Sequence, residues 1–174
     1  MSNNKDSIKV YVDSCILSKL VCHATEEEQQ KALDKICDYG CIKFVTSSIT
    51  LEEFNKTPQA HIRVALRVYY KLINEIPNVN FIKFKDGWSF PWSFPKSFGT
   101  AVEDELYKKL KKIFKNGDEV HIYNAIKADC KYFLTLDYKT ILDTIKKDRV
   151  LVEIKEICSD LEFVDPKKLL EKMI

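Results

Sequence analysis

The stretch DEVHIYNAIKADCKYFLTLD, residues Asp118–Asp137, opens on an acid, follows a helical pattern, turns, and closes with a short apolar strand that ends on a second acid. Asp118 stands where a helix N-cap would, ahead of a helix that runs to about Asp129. YFLTL then reads as a strand, and Asp137 opens the next helical pattern, DYKTILDTIKKD. The same alternation extends outward in both directions. IKVYV (8–12) and CIKFV (41–45) are β-branched and aromatic runs that read as buried strands, the first ending directly at Asp13. Between them, TEEEQQKALDKICDYG reads as a helix with Thr25 as N-cap and Gly40 as the glycine just past its end. SSITLEEF starts a further helix, with Ser48 and Glu52 read as a capping box. QAHIRVALRVYYKLINEI reads as a long amphipathic helix, and AVEDELYKKLKKIFKNG as another that Gly117 ends. VLVEI (150–154) and LEFV (161–164) are strand candidates, and DPKKLLEKMI closes the chain as a helix capped by Asp165 with Pro166 at its first position. Short strands that are apolar on both faces and alternate with helices imply an α/β, three-layer α/β/α sandwich around a mostly parallel sheet.

At 174 residues the chain fits a single domain, 1–174, with room for a proper core. Hydrophobic residues are 45% and charged residues 31%, a globular balance. The net charge of +2 argues against retention on nucleic acid by bulk charge alone. No apolar run approaches the roughly 20 residues that span a bilayer, and MSNNKDSIKV lacks the features of a secretory leader. The expectation is a cytoplasmic protein with no membrane association. Its six cysteines then read as small, mostly buried apolar residues rather than disulfides or a zinc site.

The acids fall into a pattern once the strands are parallel. Asp13 and Asp137 emerge at the same edge of the sheet, Asp118 begins a helix, and Glu53 lies about a turn beyond the second strand. Ligands of such sheets gather beyond the carboxyl ends of the strands. Four crowded carboxylates raise one another's pKa, and a hard divalent cation, Mg2+ or Mn2+, relieves that repulsion through oxygen ligands. Taken singly, Asp118 and Asp137 also suit helix N-caps.

Three blocks of the sequence resemble the PIN-domain nuclease family, which includes the toxins of bacterial toxin–antitoxin pairs. Asp118, His121, Ala125, Phe133, Leu134, Thr135 and Asp137 match the family's second half. VTSSITLEEF resembles its strand and following helix, with the family's glutamate at Glu53, and VYVDSCIL resembles its opening strand, with the acid at Asp13. The resemblance runs from about Ile8 to Asp165. It implies a Mg2+- or Mn2+-dependent endoribonuclease in which Asp13, Glu53, Asp118 and Asp137 hold one or two metal ions. Ser14 and Thr135 would be the hydroxyls that orient those carboxylates. Cys15 departs from the family, which often has Asn there, and Tyr123 and Asn124 stand where small residues are usual. His121 reads as a packed or hydrogen-bonded histidine.

Residues 77–99 form an aromatic-rich insertion that holds Trp88 and Trp92, with Lys83, Lys85 and Lys96 nearby. Trp88, Trp92 and Lys96 are candidate contacts to RNA, since aromatic platforms and basic side chains grip single strands. The same segment also suits a protein partner, whether an antitoxin or another protein, and the family's habit of pairing adds a homodimer. The competing functional reading is a catalytically silent PIN-like scaffold that binds a protein or RNA through this loop.

Overall fold

In β1 (Ile8–Val12), Val10 and Val12 point to one side of a sheet and Tyr11 to the other, all three buried. β4 (Tyr132–Leu134) repeats the pattern, with Tyr132 and Leu134 on the first side and Phe133 on the second. Side chains of a strand alternate between faces, so a strand buried on both needs helices above and below it. That is the architecture of this protein, a computed structural model that describes residues 7–76 and 104–174. The aromatic segment and its candidate contacts Trp88, Trp92 and Lys96 lie outside the described residues, as do Lys83, Lys85 and Val102.

Among the described residues the sheet has five parallel strands in the order β3-β2-β1-β4-β5, where β2 is Ile42–Thr46, β3 Asn74–Glu75 and β5 Glu162–Val164. The chain lays strands outward from β1 on one side, then returns to place β4 and β5 on the other. The switch therefore falls between β1 and β4, the place where open α/β sheets form their clefts. Right-handed crossovers send the helices to opposite faces when the direction of travel reverses. Accordingly α1 (Ser14–Val21), α2 (Glu27–Cys37), α3 (Ser48–Asn55) and α4 (Ala60–Leu72) cover the Val10 face, burying Ile16, Leu33, Ile36, Phe54 and Leu66. α5 (Glu105–Ile113), α6 (Asp118–Lys127) and α8 (Asp148–Ile157) cover the Tyr11 face with Leu110, Ile122, Ala125 and Ile154. A π-type turn, Tyr138–Leu142, leads from β4 into the one-turn helix α7 (Asp143–Ile145). The last helix, α9 (Pro166–Met173), returns to the first face through Leu169. Among the described residues no helix is long and apolar enough to cross a membrane.

Several local expectations fail for identifiable reasons. VLVEI is not a strand but the middle of α8. Val150, Ile154 and Ile157 meet the core at helical spacing, while Val152 is 57% exposed, which a doubly covered sheet would not allow. Thr25 does not cap α2, which starts two residues later with Glu26 at the N-cap, and the Thr25 hydroxyl is buried without a hydrogen-bond partner. α2 ends at Cys37, well before Gly40. Ser47, not Ser48, is the N-cap residue of α3, and its side chain makes no cap hydrogen bond. The long amphipathic helix stops at Leu72, and Asn74–Glu75 add an edge strand. Of the six cysteines only Cys130 is buried, while Cys22 and Cys37 are exposed.

Asp165 performs as expected. Its carboxylate accepts the Lys168 backbone N–H at 2.9 Å, ahead of Pro166 at the first position of α9, and also accepts the Tyr138 hydroxyl at 3.2 Å. Losing a capping acid costs about 1 kcal/mol. Asp165→Ala should therefore lower the urea midpoint at unchanged slope, and an unchanged midpoint would deny the cap any energetic weight.

Candidate metal centre

Asp13 leaves β1 at its carboxyl end and stands at the N-cap of α1, yet its side chain makes no cap bond there. It is instead 5% exposed and turned toward the end of β4. Thr135 Oγ1 donates to Asp13 Oδ2 at 2.6 Å, and the Cys15 thiol donates to the same oxygen at 3.0 Å. The Ser14 hydroxyl approaches Oδ1 at 3.5 Å. The donors are themselves tied down, because Asp137 N–H donates to Thr135 Oγ1 at 3.0 Å and Leu136 N–H to Cys15 Sγ at 3.2 Å. Burial first, and then the charge of Asp13, push the Cys15 thiol pKa far up, so it remains a protonated donor. Thr135 and Ser14 thus both reach Asp13. Cys15 completes the hydrogen bonding of Asp13.

Asp118 and Asp137 meet through a residue that sequence reasoning missed. Thr140, in the π-type turn after β4, places its Oγ1 2.9 Å from Asp118 Oδ2 and 2.8 Å from Asp137 Oδ2. A hydroxyl carries one proton, so it can serve only one of two ionised carboxylates at a time. The Asp118 pKa is pushed up to about 6 by burial, and by the charges of Asp13 and Asp137, against the pull of Thr140 and His121. Asp118 is the first residue of α6 rather than its cap. The N-cap is Gly117, whose φ of 100° lies in the left-handed region that a side chain would resist. Asp137 does cap the turn that follows it, accepting Thr140 N–H at 2.8 Å. The cap reading of Asp137 is thus met, and its other carboxylate oxygen is the one that shares Thr140 with Asp118.

Glu53 joins from α3 by a different route. Its Oε1 lies 3.0 Å from His121 Nε2, and Ser14 is a lesser influence that favours its ionised form. His121 is buried on α6, as a packed and hydrogen-bonded histidine should be, with Nδ1 2.9 Å from the Tyr11 hydroxyl. That hydroxyl lies 2.7 Å from Ser47 Oγ. Burial opposes ionisation of Glu53, but the His121 contact outweighs it and holds the carboxyl below its usual range. Burial likewise opposes charging of His121, and Tyr11, Glu53 and Asp13 together overcome it, raising its pKa.

No protein-family model, curated protein or solved structure matches this chain. The chemistry of the site therefore rests on its own atoms. Among the described residues no three His, Cys, Asp or Glu side chains converge in metal-ligand geometry. The donor set nonetheless fits a hard divalent cation. It consists of carboxylate oxygens, it lies at the topological switch point, and it contains a carboxylate pair held together by one shared hydroxyl proton. Burial first, and then the charges of Asp13 and Asp137, raise the Asp118 pKa, and a cation would oppose that rise. A separate cavity of about 560 Å³, lined by Asp129, Lys131, Cys158 and Glu162 among others, opens at the amino ends of β4 and β5, away from these acids.

Proposed function

We propose that this protein is a Mg2+- or Mn2+-dependent endoribonuclease of the PIN type, acting through Asp13, Glu53, Asp118 and Asp137. The observation that carries the reading is the pairing of Asp118, at the start of α6, with Asp137, just beyond β4, through the Thr140 hydroxyl, beside Asp13 at the carboxyl end of β1. Negative charge so concentrated repels a phosphodiester unless a cation intervenes. Asp13, Asp118 and Asp137 would hold that cation, with Glu53 at its edge. When bound it supplies Lewis-acid polarisation of the phosphoryl oxygens and lowers the pKa of water. The protein's own part is positional. Thr135 and Cys15 fix the rotamer of Asp13, and Thr140 sets the spacing of Asp118 and Asp137. RNA as substrate, and an antitoxin or a second copy of the chain as partner, follow the resemblance of the three sequence blocks.

The test uses metal-stripped protein and a mixed-sequence single-stranded RNA. Cleavage should start on addition of Mn2+ or Mg2+ and stop with EDTA. Intact RNA under every metal condition, with Mn2+ bound to the protein, would instead support the silent scaffold.

A further inference from the structure

Three buried polar groups have no place in the four-acid scheme: Ser47, Tyr11 and His121 are respectively 4%, 0% and 2% exposed. Burying such groups is costly unless each is hydrogen-bonded, and an apolar trio would serve the core at less cost. They are bonded in series, Ser47 Oγ to Tyr11 hydroxyl at 2.7 Å, that hydroxyl to His121 Nδ1 at 2.9 Å, and His121 Nε2 to Glu53 Oε1 at 3.0 Å. We infer that Ser47, Tyr11 and His121 form a relay of positioning residues whose task is to fix the Glu53 carboxylate for metal binding. This rests on the metal-centre reading above.

The relay is rigid at its middle. The Tyr11 ring stacks on Phe133 with centroids 5.3 Å apart and planes 8° from parallel, and it meets the His121 ring edge-on at 6.0 Å. Two aromatic neighbours leave the Tyr11 hydroxyl one position, and that hydroxyl on Nδ1 aims Nε2 at Glu53. Glu53 needs such help more than its partners. It is the only glutamate among the four acids, with one more rotatable bond than an aspartate, and its side chain is 35% exposed. Asp13 has Thr135, and Asp118 and Asp137 have Thr140. Glu53 has His121.

Only the last donation, to Glu53, is the same in either state of the ring, while the bonds behind it reverse. With neutral imidazole, Ser47 donates to Tyr11, Tyr11 donates to Nδ1, and Nε2–H donates to Glu53. With imidazolium, Nδ1–H donates to Tyr11, Tyr11 donates to Ser47, and Nε2–H still donates to Glu53. The positioning therefore does not depend on a titration.

The experiment is a Mn2+ titration of metal-stripped protein, read from the loss of the free-ion EPR signal. Removing an outer partner of a metal ligand weakens metal affinity about 10- to 100-fold. His121→Leu should show that loss while keeping the wild-type circular dichroism. Tyr11→Phe should shift affinity in the same direction by less, and His121→Gln, whose amide N–H can stand near the Nε2 position, should recover much of it. A purely packing role would alter the unfolding midpoint without this ordering of affinities. A folded His121→Leu that binds Mn2+ like wild type overturns the relay alone. If that variant does not fold, an unchanged affinity in Tyr11→Phe overturns it. Wild-type protein that binds no Mn2+ overturns the metal centre and the relay with it.

Discussion

Asp118→Asn is expected to make the metal-free protein more stable and to abolish its stabilisation by Mn2+. The first half follows from the Asp118 carboxyl, raised from 3.8 to about 6 by burial and by the charges of Asp13 and Asp137. A carboxyl whose folded pKa exceeds its unfolded pKa binds its proton more tightly in the folded state. Folding is then penalised as pH rises from near 4 toward 6, and the penalty is complete above 6. Asparagine removes the charge and hence the penalty. The group is only partly buried, so solvent screening reduces the gain to about 1 kcal/mol near pH 7.5. The advantage of the variant over wild type should fade as pH falls toward 4, where wild-type Asp118 is itself neutral. In Mn2+ the order reverses. A ligand at a hundredfold excess over its dissociation constant adds about 2.7 kcal/mol to a protein that binds it, and the variant should gain little of this. Unfolding of both proteins at pH 4.5 and 7.5, in EDTA and in Mn2+, gives the whole comparison. A variant less stable than wild type in EDTA at pH 7.5 would show that Asp118 serves the fold rather than a ligand. The same substitution should remove RNA cleavage if the nuclease reading holds.

Parts of this protein were legible in sequence and others were not, for reasons that differ from element to element. β1 and β4 could be read because a strand buried on both faces has few compositional solutions, and IKVYV and YFL are among them. The expectation for 150–154 failed because VLVEI satisfies β-propensity equally well. Only the spacing of Val150, Ile154 and Ile157, together with the exposure of Val152, gives it to a helix. Asp13 and Asp137 could be placed at one sheet edge because parallel strands put their carboxyl ends together. Thr140 could not be found this way. Its reach to Asp118 depends on the wide turn in which Leu142 N–H bonds to Asp137 C=O, a geometry without a sequence signature. Tyr11 was legible as a core aromatic, but nothing in its position along a strand signals that its hydroxyl meets a histidine 110 residues away. A searchable signal did exist for His121, a polar residue within the buried face of a helix, and for Cys15, which stands two residues from an acid.

Thr135→Val should cost about 3 kcal/mol and weaken the metal centre at the same time. Thr135 is fully buried, and its hydroxyl is the shortest donor to Asp13, at 2.6 Å, as well as the acceptor of Asp137 N–H at 3.0 Å. Valine matches threonine in shape and suits an extended backbone, so packing and propensity change little. The lost terms are a hydrogen bond to a buried carboxylate, worth about 1.5–3 kcal/mol, and a backbone N–H left without its partner, worth about 1–3 kcal/mol. Some of this is recovered by the Cys15 thiol and Ser14 hydroxyl that remain on Asp13. Thr135→Ser keeps the hydroxyl and removes one methyl, so its cost should be nearer 1 kcal/mol. The order wild type, Thr135→Ser, Thr135→Val in urea midpoint, at constant slope, is the expected result. Mn2+ affinity should follow the same order, since the hydroxyl that stabilises the fold is the one that aims Asp13. Were Thr135→Val to lose stability yet keep its Mn2+ affinity, Asp13 would be held by Cys15 and Ser14 alone. A variant as stable as wild type would mean that the 2.6 Å contact carries no net energy, and the orientation of Asp13 would then need another cause.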